Sequence, residues 1–160
     1  MSYTPSPAAL ARIERTLALY PEKLAAILPV LHAVQADAGF ISHEAEAWVA
    51  ARLAVEPVRV REVLSFYTMF RRAPGGRATL RVCRNITCTL AGAGDILDLI
   101  KDKLGIGPGE TTPDGAITLV TAECLGHCDH APCLQVNGVD HGPVTRETVA
   151  ALIEELKAHG

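Results

Sequence analysis

Aromatic side chains are scarce in this 160-residue chain, at 4% of its residues. A core must therefore come from Ala, Leu and Val, and a hydrophobic content of 49% is enough for one folded domain or a small pair. No apolar run approaches the ~20 residues that span a bilayer, which argues against direct membrane insertion. Met1 to Pro7 lacks a basic region followed by an apolar stretch, so no secretory signal is read there. A soluble, cytoplasmic chain is expected, at the cytoplasmic face of a membrane only through a larger complex. A basic excess is also missing: the net charge is -3, which excludes an ordinary nucleic-acid binder. There is no C-x-x-C, so a thioredoxin-type dithiol enzyme is excluded. Gly92-Ala-Gly94 lacks the third glycine of a dinucleotide-binding turn, Leu97 standing in its place, and reads instead as close helix packing. Gly105, Gly107 and Gly109 are not followed by Lys-Ser or Lys-Thr, so no phosphate loop is present. The chain itself is not expected to bind NAD, FMN or ATP.

What the chain does have is cysteine in pairs. Five cysteines, an odd number, point to metal or redox chemistry rather than disulfides in a cytosolic protein. Cys83 and Cys88 form a C-x4-C and Cys124 and Cys128 a C-x3-C, each after a short apolar run that reads as a strand. Two loops would then each offer two thiolates to one centre. Zinc usually takes tighter C-x2-C knuckles. A 2Fe-2S cluster is wider, takes two thiolates on each iron and tolerates C-x4-C, as in plant-type ferredoxins. The plant-type order continues almost at once with C-x2-C, whereas 35 residues separate Cys88 from Cys124 here. A zinc-stabilised structural or interaction module stays open at this point, as does a free-standing ferredoxin shuttle. His127 and His130 flank Cys128, where a Rieske centre would use two histidines, but four cysteines make them unnecessary. Cys133 lies on an expected strand and reads as a buried, inert thiol. Gly126 would let backbone amides approach and hydrogen-bond the cluster sulfurs.

The N-terminal half carries helical apolar spacing. Leu10, Ile13 and Leu17 mark one helix over 8–19, ended by Pro21, and Leu24 to Val34 a second that runs until Gly39. Pro29 either kinks that second helix or begins a new one. Ser42 caps a third through Trp48 to Leu53, with Glu44 and Glu46 near its positive end. Pro57 opens a fourth that carries Val60, Val63 and Leu64. Phe66, Tyr67, Met69 and Phe70 read as core or as a partner face, because four large side chains in five positions cannot share one side of a helix. His32 and His43 are isolated and take ordinary surface or packing roles.

Ala73-Pro-Gly-Gly-Arg77 marks the boundary between two expected domains, 1–72 and 73–160. Around it lie Arg59, Arg61, Arg71, Arg72, Arg77, Arg81 and Arg84, either a solvated face or a docking surface for an acidic partner, with Arg84 also offsetting thiolate charge. The second half reads as strand 79–83, helix 91–104, a Gly-, Pro- and Thr-rich loop 105–115, strands 116–121 and 133–136, and a last helix 145–157.

C-x4-C, a long spacer and C-L-G-x-C-x-x-A-P together resemble the thioredoxin-like 2Fe-2S ferredoxin family. The likeness is strongest to the small 2Fe-2S subunit of the NADH-oxidising module of respiratory complex I and its relatives in NAD-linked formate dehydrogenases and hydrogenases. Ser65 to Phe70, Leu104 to Gly115 and Gln135 to Asn137 also look like that family, and the resemblance covers roughly residues 10–158. It implies an α+β chain, an N-terminal helical bundle followed by a thioredoxin-like α/β domain. It also implies one 2Fe-2S cluster held by Cys83, Cys88, Cys124 and Cys128, the first pair on one iron and the second on the other. The chain would be a non-catalytic electron-transfer subunit of an NAD(H)-dependent oxidoreductase complex. FMN and NAD(H) would sit on a larger iron–sulfur partner subunit, with further subunits beyond it.

Overall fold

The computed structural model describes residues 3–158, and these divide between Pro74 and Gly75 into two compact units. Among the described residues, seven α-helices and a four-stranded mixed sheet make the chain α+β. No helix among them is long and apolar enough to cross a membrane.

The first unit is helical: α1 (Pro7–Leu17), α2 (Ile27–Ala38), α3 (His43–Leu53) and α4 (Pro57–Phe66). Each start has a local cause. Ser6 Oγ accepts the Ala9 N–H at 3.2 Å and Ser42 Oγ the Ala45 N–H at 3.1 Å, filling donors that a first turn leaves unpaired. Pro29 belongs to the start of a new helix and does not kink one. A 3-10 turn over Lys23–Ala26 precedes α2, and Pro29 occupies the first turn of α2, where a missing N–H costs nothing. Ile13, Val30, Leu31, Ile41, Val49 and Leu53 are fully buried between these helices.

Two features of this unit differ from a plain amphipathic reading. Glu46, expected near the positive end of α3, is only 2% exposed. It accepts Arg61 Nε at 2.9 Å and Arg72 Nη1 at 2.6 Å, one on each oxygen. Those two arginines of the basic run are therefore committed within the unit. Arg59 similarly pairs with Glu62 at 3.1 Å. The aromatic cluster divides: Phe70 is buried against His32, ring centroids 4.9 Å apart, while Phe66 is 77% exposed.

The second unit comprises β1 (Ala78–Cys83), α5 (Ile86–Leu90), α6 (Ala93–Leu104), β2 (Ile117–Ala122), β3 (Leu134–Val136), β4 (Val139–His141) and α7 (Arg146–Ala158). The sheet order is β2-β1-β3-β4. β1 runs parallel to β2, with Cys83 opposite Ala122, and antiparallel to β3, with Val82 opposite Leu134. Parallel neighbours need a long crossover, which α6 supplies. Leu80, Ile100, Ile117, Leu119, Leu134 and Ile153 fill the core. β4 and α5 are not in the sequence reading. β4 closes a two-residue hairpin at Asn137-Gly138, whose φ values of 50° and 90° are those of a primed turn. α6 starts at Ala93, not Ala91, because Gly92 stands before it in the left-handed region at φ 94°. A Cβ on Gly92 or Gly94 would meet nothing within 4 Å, so close helix packing is not what selects these glycines.

Candidate metal centre

Parallel pairing decides where the cysteines go. β1 ends at Cys83 and β2 at its register partner Ala122, so both cysteine segments leave the sheet at the same end. The Arg84 N–H donates to Ala122 O at 2.9 Å and carries the ladder one step further. Asn85 then caps α5, its Oδ1 accepting the Ile86 N–H at 2.9 Å, and this single turn brings Cys88 back beside Cys83. Cys88 therefore lies on a short helix, not on a loop. Beyond β2, Gly126 turns the second segment at φ 75° and donates its N–H to Cys124 Sγ at 3.3 Å. No protein atom would crowd a Cβ there, so the glycine serves the left-handed turn that aims this amide. Cys128 opens a 3-10 turn over Cys128–His130.

The two segments lie beside each other. Donors from both segments surround the Cys83 thiol: the Asn85 amide first, then the Cys88 thiol, the Leu125 amide and the Cys133 thiol. Burial alone would raise the Cys83 thiol, but these donors outweigh it and hold the group below its usual range. Cys128 is pushed up, chiefly by the negative charge of Cys124 and then by its own burial, with smaller contributions from Cys88 and Cys83. The Cys128 sulfur thus feels the other three of the two motifs, while the tight group of sulfurs within 4.8 Å is Cys83, Cys88 and Cys133. Arg84 and Glu123 form an ion pair, Nε to Oε1 at 3.0 Å, that ties the residue after Cys83 to the residue before Cys124. Arg84 is therefore not a free counter-charge for thiolates.

Burial differs sharply between the motifs. Cys83 and Cys88 are 1% exposed, whereas Cys124 and Cys128 lie at the surface. Cys133, read from the sequence as a buried, inert thiol, is indeed buried, and it stands beside the first pair. Its Sγ is 3.6 Å from Cys88 Sγ, and its carbonyl accepts the Cys83 N–H at 3.2 Å. Burial first, then Cys88 and Cys83, push its thiol up to about 12. The antiparallel register of β3 puts it there, which the spacing of the motifs does not show. His127 and His130 stack at 4.5 Å, and His130 Nδ1 meets Asp129 Oδ2 at 3.0 Å.

The sequence model described as Thioredoxin-like 2Fe-2S ferredoxin matches residues 13–157. The chain belongs to that family. Two curated relatives agree. A subunit of the NADH-quinone oxidoreductase of Rhizobium meliloti is 42% identical over 146 residues, covering 91% of this chain and 87% of that protein. A subunit of the NADH-quinone oxidoreductase of Thermus thermophilus is 41% identical over 149 residues, covering 91% and 82%. Among solved structures, an NAD+-reducing NiFe-hydrogenase in its H2-reduced state superposes with a TM-score of 0.75 at 24% identity. That match covers 86% of this chain and 23% of that one, and it speaks for the fold. The donor chemistry fits the family's group: four sulfur side chains with backbone amides aimed at Cys83 and Cys124, the kind of donor that iron–sulfur thiolates attract.

Proposed function

We propose that this chain is the 2Fe-2S electron-transfer subunit of a cytoplasmic NADH-quinone oxidoreductase, docked beside a larger subunit that binds FMN and NAD(H). Residues 73–160 form the cluster domain and 1–72 a helical bundle. Cys83 and Cys88 hold one iron, Cys124 and Cys128 the other. The observation that carries the reading is the meeting of C-x4-C and C-x3-C at the shared end of β1 and β2. The two relatives described above, at 42% and 41% identity, are NADH-quinone oxidoreductase subunits, which favours that assembly over a formate dehydrogenase or hydrogenase. Their match over 91% of the chain takes in the helical unit, which a free-standing shuttle would not need, and the family does not favour a zinc scaffold.

When bound, the cluster takes up and returns one electron at a time. The chain's own residues set the conditions. Cys83 and Cys88 keep one half of the site dry, and the Asn85, Leu125 and Gly126 amides stabilise thiolate charge. Cys124 and Cys128, at the surface, form the edge that a redox partner can approach most closely. Anaerobic purification should give a coloured protein with two irons and two sulfides per chain and a paramagnetic signal on reduction. A colourless chain holding one zinc would end this reading. Co-expression with the flavoprotein subunit should give a complex that survives gel filtration.

A further inference from the structure

The densest group of sulfurs is not the four paired cysteines. Cys83, Cys88 and Cys133 have sulfurs that all lie within 4.8 Å of one another, and each residue is 2% exposed or less. Three sulfurs spaced evenly around one ion at the ~2.3 Å of a zinc–thiolate bond stand about 4.0 Å apart. The 3.6 Å between Cys88 and Cys133 fits that spacing. Three elements fix the trio: the end of β1, the turn α5, and the residue leading into β3. Cys124 and Cys128 are not needed to complete it.

We propose that Cys83, Cys88 and Cys133 form a three-sulfur site for a single thiophilic d10 cation, Zn2+ or Cu+, which competes with the cluster for the chain. The inference shares Cys83 and Cys88 with the proposed cluster ligands but does not depend on Cys124 or Cys128. Soft thiolates select such cations over harder ones, and a dry pocket strengthens the preference. On binding, the thiols release their protons to solvent and no electron moves. The amides at Cys83 offset part of the thiolate charge that remains. Cys133 then has a distinct role. It is a spectator while the cluster is in place and the completing ligand when a single ion arrives first.

The test uses the full chain, stripped of iron, reduced and kept anaerobic. It is titrated with Cd2+ as a spectroscopic d10 probe through its sulfur-to-cadmium absorption, followed by competition with Zn2+. Wild type and the double variant Cys124→Ser/Cys128→Ser should each bind one ion with similar affinity. Cys133→Ala and Cys133→Ser should bind at least tenfold more weakly, with about a third of the charge-transfer intensity lost. Cadmium X-ray absorption on wild type, which needs no variant to fold, should count three sulfur neighbours. Four sulfurs, wild-type affinity in both Cys133 variants, or lost binding in the double variant would each overturn the proposal. Cluster reconstitution in the same double variant reads separately. A retained cluster there would refute the ligand assignment above and leave the single-ion site standing.

Discussion

Gly142 is the residue through which a single methyl group should damage the metal centre. It follows β4 and lies against the second cysteine segment, where a Cβ would meet His130 O at 2.4 Å, with His130 Cβ and Cys133 Cβ each at 3.1 Å. Real Cβ atoms essentially never approach closer than 3.0 Å, so the His130 carbonyl or the end of β4 must retreat by about 0.6 Å. Neither neighbour is the far end of a flexible side chain that could swing aside. The strain therefore passes into backbone between Cys128 and Cys133. Overpacking of this kind costs about 1–3 kcal/mol. At the upper end, in a unit of this size, that is on the order of 10 °C or more in Tm. Gly142→Ala should thus lower the Tm of the iron-free chain and also reduce iron and sulfide content, because Cys128 moves with the loop. Thermal denaturation followed by circular dichroism reads the first effect, and iron and sulfide analysis of anaerobic preparations the second. An alanine variant within about 0.5 kcal/mol of wild type, with a full complement of iron, would show that the crowding argument is wrong.

Gly94→Ala should do the reverse, since the added Cβ meets nothing within 4 Å, raising stability by up to about 1 kcal/mol in urea denaturation. A loss would mean α6 needs that glycine for a reason other than space. Cys83→Ser and Cys124→Ser should each lose or destabilise the cluster, while Cys133→Ser keeps it, as read from visible absorption and iron content. Equal loss from all three would break the ligand assignment. Glu46→Gln should destabilise the helical unit by about 1–2 kcal/mol, less than for a fully enclosed pair, because Arg61 and Arg72 can partly rehydrate. Burial raises the Glu46 carboxyl, but hydrogen bonds from Arg72 and then Arg61 prevail and hold it below its ordinary value. The stability it contributes is therefore present above the ordinary carboxylate range and lost as pH falls through the lowered value. The variant should lose that part of the acid dependence, and identical urea-midpoint pH profiles would refute the assignment.

The helical half was legible because its signals are local. Ser42, Pro57 and the spacing of Ile13 and Leu17 each act within a turn or two, and the elements appear where those signals put them. What was not legible depends on residues far apart. Glu46 looks like a solvent-facing acid until Arg61 and Arg72, 15 and 26 positions on, converge on it. α5 has five residues, too few for a helical period to show. The Asn137-Gly138 turn is the exception: an Asn-Gly pair is a hairpin signal, and it was readable without coordinates. Of the site, the pairing of cysteines was visible, but the approach of Cys133 rests on the register of a three-residue strand, which alternation cannot specify.

Strand direction explains both the convergence and the asymmetry of the centre. Neighbouring strands lie about 4.8 Å apart, and each rises ~3.3 Å per residue, so two six-residue strands run antiparallel would leave Cys83 and Cys124 about 20 Å apart. The parallel crossover through α6 removes that distance and lets 35 intervening residues count for nothing. β1 also has a neighbour on each side, β2 and β3. A thiol at the end of an inner strand is covered from both, which accounts for the burial of Cys83. Its β2 side brings the Leu125 amide, and its β3 side brings Cys133. An edge strand would have offered one of these and left the other side open to water. The inner position of β1 therefore gives this centre a dry half, an exposed half and a fifth sulfur beside the dry one.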